Sequence, residues 1–393
     1  MIVVGAGPAG SSAARVAAEA GARVLLLDRA RFPRYKTCGG GITGFSLNAM
    51  PDSARAAFEA EITDFGLSRR GRDRVMLHDD APFLGMVQRE TFDQLLVDAA
   101  VGAGAVFRDG ATVRGLTEDD EGVTVRLEGE DLWARVVVGA DGSNGRTSGY
   151  VGVEFAGSDL GLEVELAASG HDWSHTALFD WGADRGSYAW LFPKRDALTI
   201  GVIQRTGLPD ATRDYLELWL RQLGLAGATR VRESGHLTRW RSRRSPLRRG
   251  SVLVAGEAAG LLEPWTREGI SFALRSGVLA GAASASAARA ADAGSRAAAL
   301  DGYVTAVERD LVPQIQTGAA MLTVLERTPR LLHRVLAHTS LGRRTFLALC
   351  RGSARVDGLV GHPVVRAATR IMGRRTARRR AEPARPPGGT AVR

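Results

Sequence analysis

Gly5-Ala-Gly-Pro-Ala-Gly10 stands between the apolar run Met1-Ile-Val-Val4 and the small-residue stretch Ser11 to Ala20. Glycines at this spacing hold phosphate. Gly5 permits a tight turn, Gly7 lets a pyrophosphate approach the backbone, and Gly10 lets the following helix pack close to the strand. The helix N-terminus then turns unpaired N–H groups and a positive dipole end toward the phosphates. Ala22-Arg-Val-Leu-Leu-Leu-Asp28 reads as the next buried strand and ends on an acid placed to bind ribose hydroxyls. A carboxylate there disfavours a 2′-phosphate, so the site is expected to hold FAD or NAD rather than NADP.

Three other stretches carry candidate chemistry. Arg31-Phe-Pro-Arg-Tyr-Lys-Thr-Cys-Gly-Gly-Gly-Ile42 reads as a loop, because no helix or strand interior favours three consecutive glycines. In Tyr188-Ala-Trp-Leu-Phe192, period-two alternation puts Tyr188, Trp190 and Phe192 on one sheet face. That face is either an apolar wall for a substrate or plain core. Two further strands break into glycine turns, Trp133 to Ser143 and Val252 to Gly260.

The elements that must position these residues follow from periodicity. Helices are expected over Gly44 to Glu61 and Arg89 to Ala100, a hairpin over Arg74 to Val87, and strands at Ala105 to Phe107 and Val123 to Leu127. From about residue 151 the pattern turns β-rich with little helix, in Gly161 to Ala167, Tyr188 to Phe192 and Leu198 to Gln204. The style of the first strands returns at Val252, and a helix starts at Gly269. The chain therefore reads as α/β. A Rossmann-like nucleotide domain (1–70, 89–150 and 245–290) is interrupted by an antiparallel β-sheet substrate domain (71–88 and 151–244) and followed by C-terminal helices (291–373) and a basic, disordered tail (374–393).

Composition excludes some classes. The chain has 393 residues, 45% hydrophobic and 24% charged, which argues against global disorder or a fibre. Residues 366–393 hold nine arginines and one acid, so they carry +8 of the net +9 and leave the body nearly neutral. Two cysteines, Cys38 and Cys350, make neither a disulfide framework nor a four-thiolate site, and no metal site is expected. With no signal-peptide pattern and no uninterrupted apolar run of membrane length, a reduced, cytoplasmic protein is expected.

The early GxGxxG, Gly139-Ala-Asp-Gly-Ser143 and Gly256-Glu-Ala-Ala-Gly260 resemble the three fingerprints of the FAD-dependent group-A monooxygenase-like superfamily, whose fold is that of p-hydroxybenzoate hydroxylase. Within it, Phe32-Pro-Arg-Tyr-Lys-Thr-Cys-Gly-Gly-Gly41, Tyr188-Ala-Trp-Leu-Phe-Pro-Lys194 and Glu263-Pro-Trp-Thr-Arg-Glu-Gly-Ile270 look like the geranylgeranyl reductase family. The match covers roughly residues 1–290. It implies an FAD enzyme in which Ala9 and Asp28 touch the adenosine half, Cys38, Gly39 and Gly41 line the flavin, and Arg89 reaches the FAD. Val113 would meet adenine, Asp141 would belong to the nucleotide loop, and Glu257, Gly269 and Ile270 would hold the ribityl and pyrimidine edge. Gly269 and Ile270 open a helix, whose dipole suits negative charge on reduced flavin. Arg89, at a helix start, would need an anion. Cys38 reads either as a group assisting proton delivery or as a packed thiol. Two departures stand out: Glu257 replaces the usual aspartate, and Glu263 and Arg267 occupy positions where the family commonly has Asn and Gly.

The resemblance implies reduction of carbon–carbon double bonds in a polyprenyl or terpenoid substrate, with Tyr188 and Trp190 beside Cys38 as candidate catalytic residues. The electron source would be NAD(P)H or a ferredoxin-like carrier. The alternative enzyme is a hydroxylase on the same scaffold; a halogenase is disfavoured because the Trp-x-Trp-x-Ile-Pro signature is not matched. A third reading starts from the tail, where residues 366–380, with Val364, Val365, Ile371 and Met372 near or among the arginines, form a cationic segment suited to anionic lipid. Nothing resembles a nucleic-acid motif.

Overall fold

The computed structural model describes residues 1–168, 171–181 and 184–361. Expectations for the basic tail and for Val364 to Met372 lie outside the described residues. None of the helices described is long and apolar enough to cross a membrane.

A six-stranded sheet forms the centre of the nucleotide-binding half, in the order Arg248–Arg249, Val252–Val254, Val137–Gly139, Ile2–Val4, Leu25–Leu27, Val106–Arg108. All pairs are parallel except the first. Its inner strands are continuous runs of Val, Ile and Leu because both faces are covered, as parallel sheets require. The Pro8–Glu19 and Ile270–Arg289 helices pack on each other against it. Gly5 has φ +98°, and a Cβ at Gly10 would lie 1.7 Å from Gly5 O; a side chain is excluded at both points of the turn.

The second large sheet is seven-stranded, in the order Arg230–Arg241, Phe155–Ala167, Ala197–Arg205, Tyr188–Pro193, Thr176–Trp181, Asp64–Arg69, Arg72–His78. It is antiparallel apart from one pair, Thr176–Trp181 beside Asp64–Arg69. This sheet begins at Asp64 rather than at residue 71, because Asp64–Arg69 is the partner of Arg72–His78. The Arg74 to Val87 hairpin is likewise corrected: Leu84–Val87 pairs with Gly41–Ile42 and Phe58–Ile62 in a separate three-stranded sheet. The helix expected over Gly44 to Glu61 shrinks to Gly44–Leu47, a 3-10 turn at Asp52–Ala57 and the Phe58–Ile62 strand, since Pro51 interrupts it. Trp133 to Ser143 holds not one strand but parts of two, Asp131–Ala134 and Val137–Gly139, in different sheets.

The inserted region also contains a 14-residue helix, Pro209–Gln222, which lays Tyr215, Leu216 and Trp219 on the outer face of the sheet against Ala189 and Leu191. The opposite residues of that strand, Tyr188 and Trp190, face inward with Phe65 and Phe346. Helices Ala293–Asp310, Val312–Arg327, Pro329–His338 and Ser340–Cys350 follow, and the last two close the inner face from the far side.

Candidate active site

One cavity of about 890 Å³ runs from the glycine turn, past the Cys38 loop, to the inner face of the substrate sheet. Gly5, Gly7, Ala9, Asp28, Cys38, Gly39, Gly41, Arg89, Val113, Asp141, Tyr188, Trp190, Glu257, Gly269 and Ile270 all line it; Gly10 does not, being packed under the turn.

At the nucleotide end Asp28 is held by the N–H groups of Ala6 (2.7 Å) and Ala30 (2.8 Å) at the tip of its strand. Arg34, which the sequence does not single out, lies over the turn: a Cβ at Gly7 would be 3.5 Å from its Nη2. Nη2 pairs with Asp93 at 3.0 Å, whereas the buried Nη1 has no hydrogen-bond partner. An orphaned guanidinium donor above a glycine turn and a helix N-terminus fits a pyrophosphate, and the residues present therefore fit FAD.

Arg89 is buried and does not wait for an external anion: Asp93, one turn on, takes its Nε and Nη2 at 2.8 and 2.7 Å. Burial works against the charge and Asp93 more than restores it, holding the guanidinium above its ordinary value. One carboxylate thus serves two guanidiniums, and the group as a whole remains cationic.

The Cys38 loop is gripped by two buried groups of opposite charge from the substrate sheet. Glu163 accepts from the Cys38 N–H at 2.9 Å and from the Tyr35 hydroxyl at 3.1 Å, and burial raises its carboxyl above the usual range. Lys194 Nζ donates to Gly39 O at 2.6 Å, and burial pushes the amine down to about 8. No His or second Cys neighbours Cys38 in sequence, yet the fold brings Arg89 and Lys194 beside it. Cys350, from the C-terminal helices, lines the same cavity.

Glu257 accepts from His236 Nε2 at 2.9 Å and lies 3.9 Å from Lys36 Nζ. Burial alone would raise its carboxyl; Lys36 and His236 bring it down to about 2. The Asp141 carboxylate is turned to Thr147, accepting from its N–H at 3.2 Å and from its hydroxyl at the start of the Arg146–Val151 helix. Gly269 precedes the Ile270–Arg289 helix; the Ser271 N–H is taken by Glu268 at 2.7 Å, while Gly269 and Ile270 face the cavity.

Both departures in the 263–270 loop have a structural role. Glu263 accepts from Trp265 N (2.7 Å), Thr266 N (2.8 Å) and Thr266 Oγ1 (2.5 Å), closing the loop on itself. Arg267 takes a left-handed backbone, with φ +56°, and sends its guanidinium to buried Asp159 at 2.6 Å and to Gly186 O at 2.9 Å.

The far end is aromatic. Phe65 stacks edge-on with Phe179 and with Phe346, centroids 5.0 Å apart in each pair, and Phe179 leans on Tyr188 at 5.0 Å. The Tyr188 hydroxyl donates to Thr266 O at 2.5 Å, and burial raises its pKa, so its proton is directed away from the cavity. Trp190 Nε1 is buried with no acceptor among the described residues, and a Cβ at Gly39 would be 3.1 Å from it. Phe65, Phe179 and Phe346 escape the sequence reading because they come from three distant segments. Lys194 lies within a quoted motif without an assigned role.

An FAD binding domain family model matches residues 1–304. The chain is 32% identical over 291 residues to geranylgeranyl diphosphate reductase of Rhodobacter capsulatus, covering 69% of this chain and 71% of the relative. It is 33% identical over 306 residues to digeranylgeranylglycerophospholipid reductase 1 of Methanopyrus kandleri, covering 72% and 79%. Among solved structures, a geranylgeranyl bacteriochlorophyll reductase-like protein of Thermoplasma acidophilum superposes with a TM-score of 0.78 at 20% identity, covering 91% of this chain and 96% of that one. The flavin-dependent brominase Bmp2 gives 0.74 at 19% identity, covering 95% and 98%, which shows a shared fold.

Fold and site define a flavoprotein oxidoreductase. The chain belongs to the FAD-binding-domain flavoproteins and, within them, to the geranylgeranyl reductase family.

Proposed function

We propose that the protein reduces carbon–carbon double bonds of a polyprenyl or terpenoid substrate. The observation that carries this reading is the continuity of one cavity from the phosphate-binding turn to a chamber walled by Phe65, Phe179, Tyr188, Trp190, Phe192 and Phe346. FAD bound there supplies hydride from its reduced ring. Arg34, Gly7 and the Pro8–Glu19 helix start hold its phosphates, Asp28 its ribose, and Gly269 and Ile270 its pyrimidine edge. The Cys38 loop, pinned by Glu163 and Lys194, fixes the boundary between flavin and substrate. An alkene has no polar handle, so the chamber's task is to exclude water and align the chain. Cys38, with Arg89 and Lys194 beside it, is the group placed to pass a proton to the second carbon. The electrons come from NAD(P)H or a ferredoxin-like carrier.

The test is anaerobic incubation of chemically reduced enzyme with geranylgeranyl diphosphate and with a diphosphate-free polyprenol, read by mass spectrometry. A gain of hydrogen with reoxidation of the flavin is expected. A product that forms only in air and carries added oxygen overturns the reading in favour of a hydroxylase.

A further inference from the structure

The two helices that close the chamber have an outer face that the proposed function does not use. From Arg327 to Arg351 inclusive the chain has six arginines and no aspartate or glutamate. In Pro329–His338, residues Arg330, Leu331 and Arg334 are exposed together while Leu332, His333 and Leu336 are buried. In Ser340–Cys350, Leu341, Arg343 and Arg344 are exposed while Phe346 turns into the chamber. Leu331 is 51% and Leu341 53% exposed, high for leucines in a folded helix pair.

The charges here are not spent on neighbours. Arg327, Arg330, Arg334 and Arg344 have no acidic partner among the described residues. Two acids at the adjoining sheet, Asp73 and Asp79, are engaged elsewhere. The Asp73 carboxylate lies 3.0 Å from His338 Nε2 and 3.3 Å from His333 Nε2, and Asp79 is paired with Arg351. His333 Nδ1 accepts from Trp181 Nε1 at 3.2 Å and Nε2 donates to Asp73 O at 2.9 Å, so both ring nitrogens of His333 are engaged in holding the helix to the sheet.

We infer that the outer face of the Pro329–His338 and Ser340–Cys350 helices lies on an anionic lipid surface. Unpaired arginines with isolated exposed leucines between them are what an interfacial helix presents to such a surface: the leucines enter the headgroup boundary and the guanidiniums meet lipid phosphates. A nucleic acid would use the arginines and gain nothing from the leucines. The inference rests on the proposed apolar substrate for its purpose, since the opposite side of the Ser340–Cys350 helix lines the chamber with Phe346, Leu349 and Cys350. A substrate drawn from a bilayer would then cross one helix thickness to reach it.

The test is co-sedimentation of full-length holoenzyme with phosphatidylcholine vesicles, with and without phosphatidylglycerol, at low and high salt. The expected result is binding that needs the anionic lipid and weakens with salt. Arg330→Gln/Arg334→Gln should weaken it at least about tenfold, from roughly fivefold per surface arginine. Leu331→Ser/Leu341→Ser should weaken it at both salt concentrations. Arg378→Gln/Arg379→Gln/Arg380→Gln should retain most of it. Binding that is unchanged in the first two variants, or abolished by the third alone, overturns the assignment, as does equal affinity for duplex DNA. Flavin absorbance and turnover of detergent-dispersed substrate should be unaffected in the helix variants. Because vesicle binding needs no turnover, loss of the reductase reading and loss of the lipid face are told apart.

Discussion

Lys194 Nζ reaches across the chain to donate a hydrogen bond to the carbonyl of Gly39, at 2.6 Å and wholly out of solvent. A buried amine under a glycine loop has a definite pH signature. Its folded value, about 8, lies below its ordinary 10.5, so protonation favours the unfolded chain and the cost of the buried charge is fully present below pH 8. Stability should therefore rise between pH 8 and 10, by up to about 1.4 kcal/mol for each unit of depression. In Lys194→Met that rise should vanish in denaturant titrations across the window, while FAD occupancy falls because the loop has lost its anchor. An unchanged pH slope in the variant would show that Lys194 is not the titrating group.

Asp93 serves both Arg34 and Arg89. Asp93→Asn should leave the buried Arg89 and half-buried Arg34 guanidiniums without a counter-charge and cost about 3–5 kcal/mol of stability, measured by chemical denaturation of the apoprotein.

Arg34→Ala should act on the cofactor and spare the fold. Loss of a charge-assisted contact of about 1.5–3 kcal/mol predicts roughly 10- to 100-fold weaker FAD binding, read by quenching of flavin fluorescence. Affinity equal to the parent protein would place the pyrophosphate elsewhere.

Arg267→Gly relaxes the left-handed backbone but strands Asp159. Uncompensated burial should dominate, giving net destabilisation of a few kcal/mol, and Asp159→Asn added to it should recover part of the loss. A thermal melt of the single and double variants checks the order.

Phe346→Ala should cost about 3–5 kcal/mol and enlarge the far end of the chamber. Competition between polyprenyl substrates of different lengths should then shift toward the longer one. A proportional loss for all lengths would show that Phe346 supports the chamber without limiting it.

Local patterns explain what the sequence reveals. The GxGxxG turn, the acid at Asp28 and the inward alternation of Tyr188 and Trp190 each lie within one element and are readable there. Even the Arg89–Asp93 pair is legible as an i,i+4 contact. What escapes is whatever needs partners from distant segments. Arg34 reaches Asp93 only after the loop folds back, and Phe65, Phe179 and Phe346 converge from separate strands and a C-terminal helix. The Pro209–Gln222 helix is hidden in a β-rich region because its apolar face answers the outer side of the sheet. Strand partners are equally non-local, which is why Asp64–Arg69 and Leu84–Val87 enter different sheets from those expected.

Both thiols of the chain face one cavity, Cys38 at its middle and Cys350 at its aromatic end. Burial pushes the Cys350 thiol up to about 12, so it should alkylate far more slowly than a thiolate-competent group. The molecule therefore carries its own pair of occupancy reporters. A labelling time course that separates Cys38 from Cys350 would register what fills the flavin end and what fills the apolar end, with no probe added to the protein.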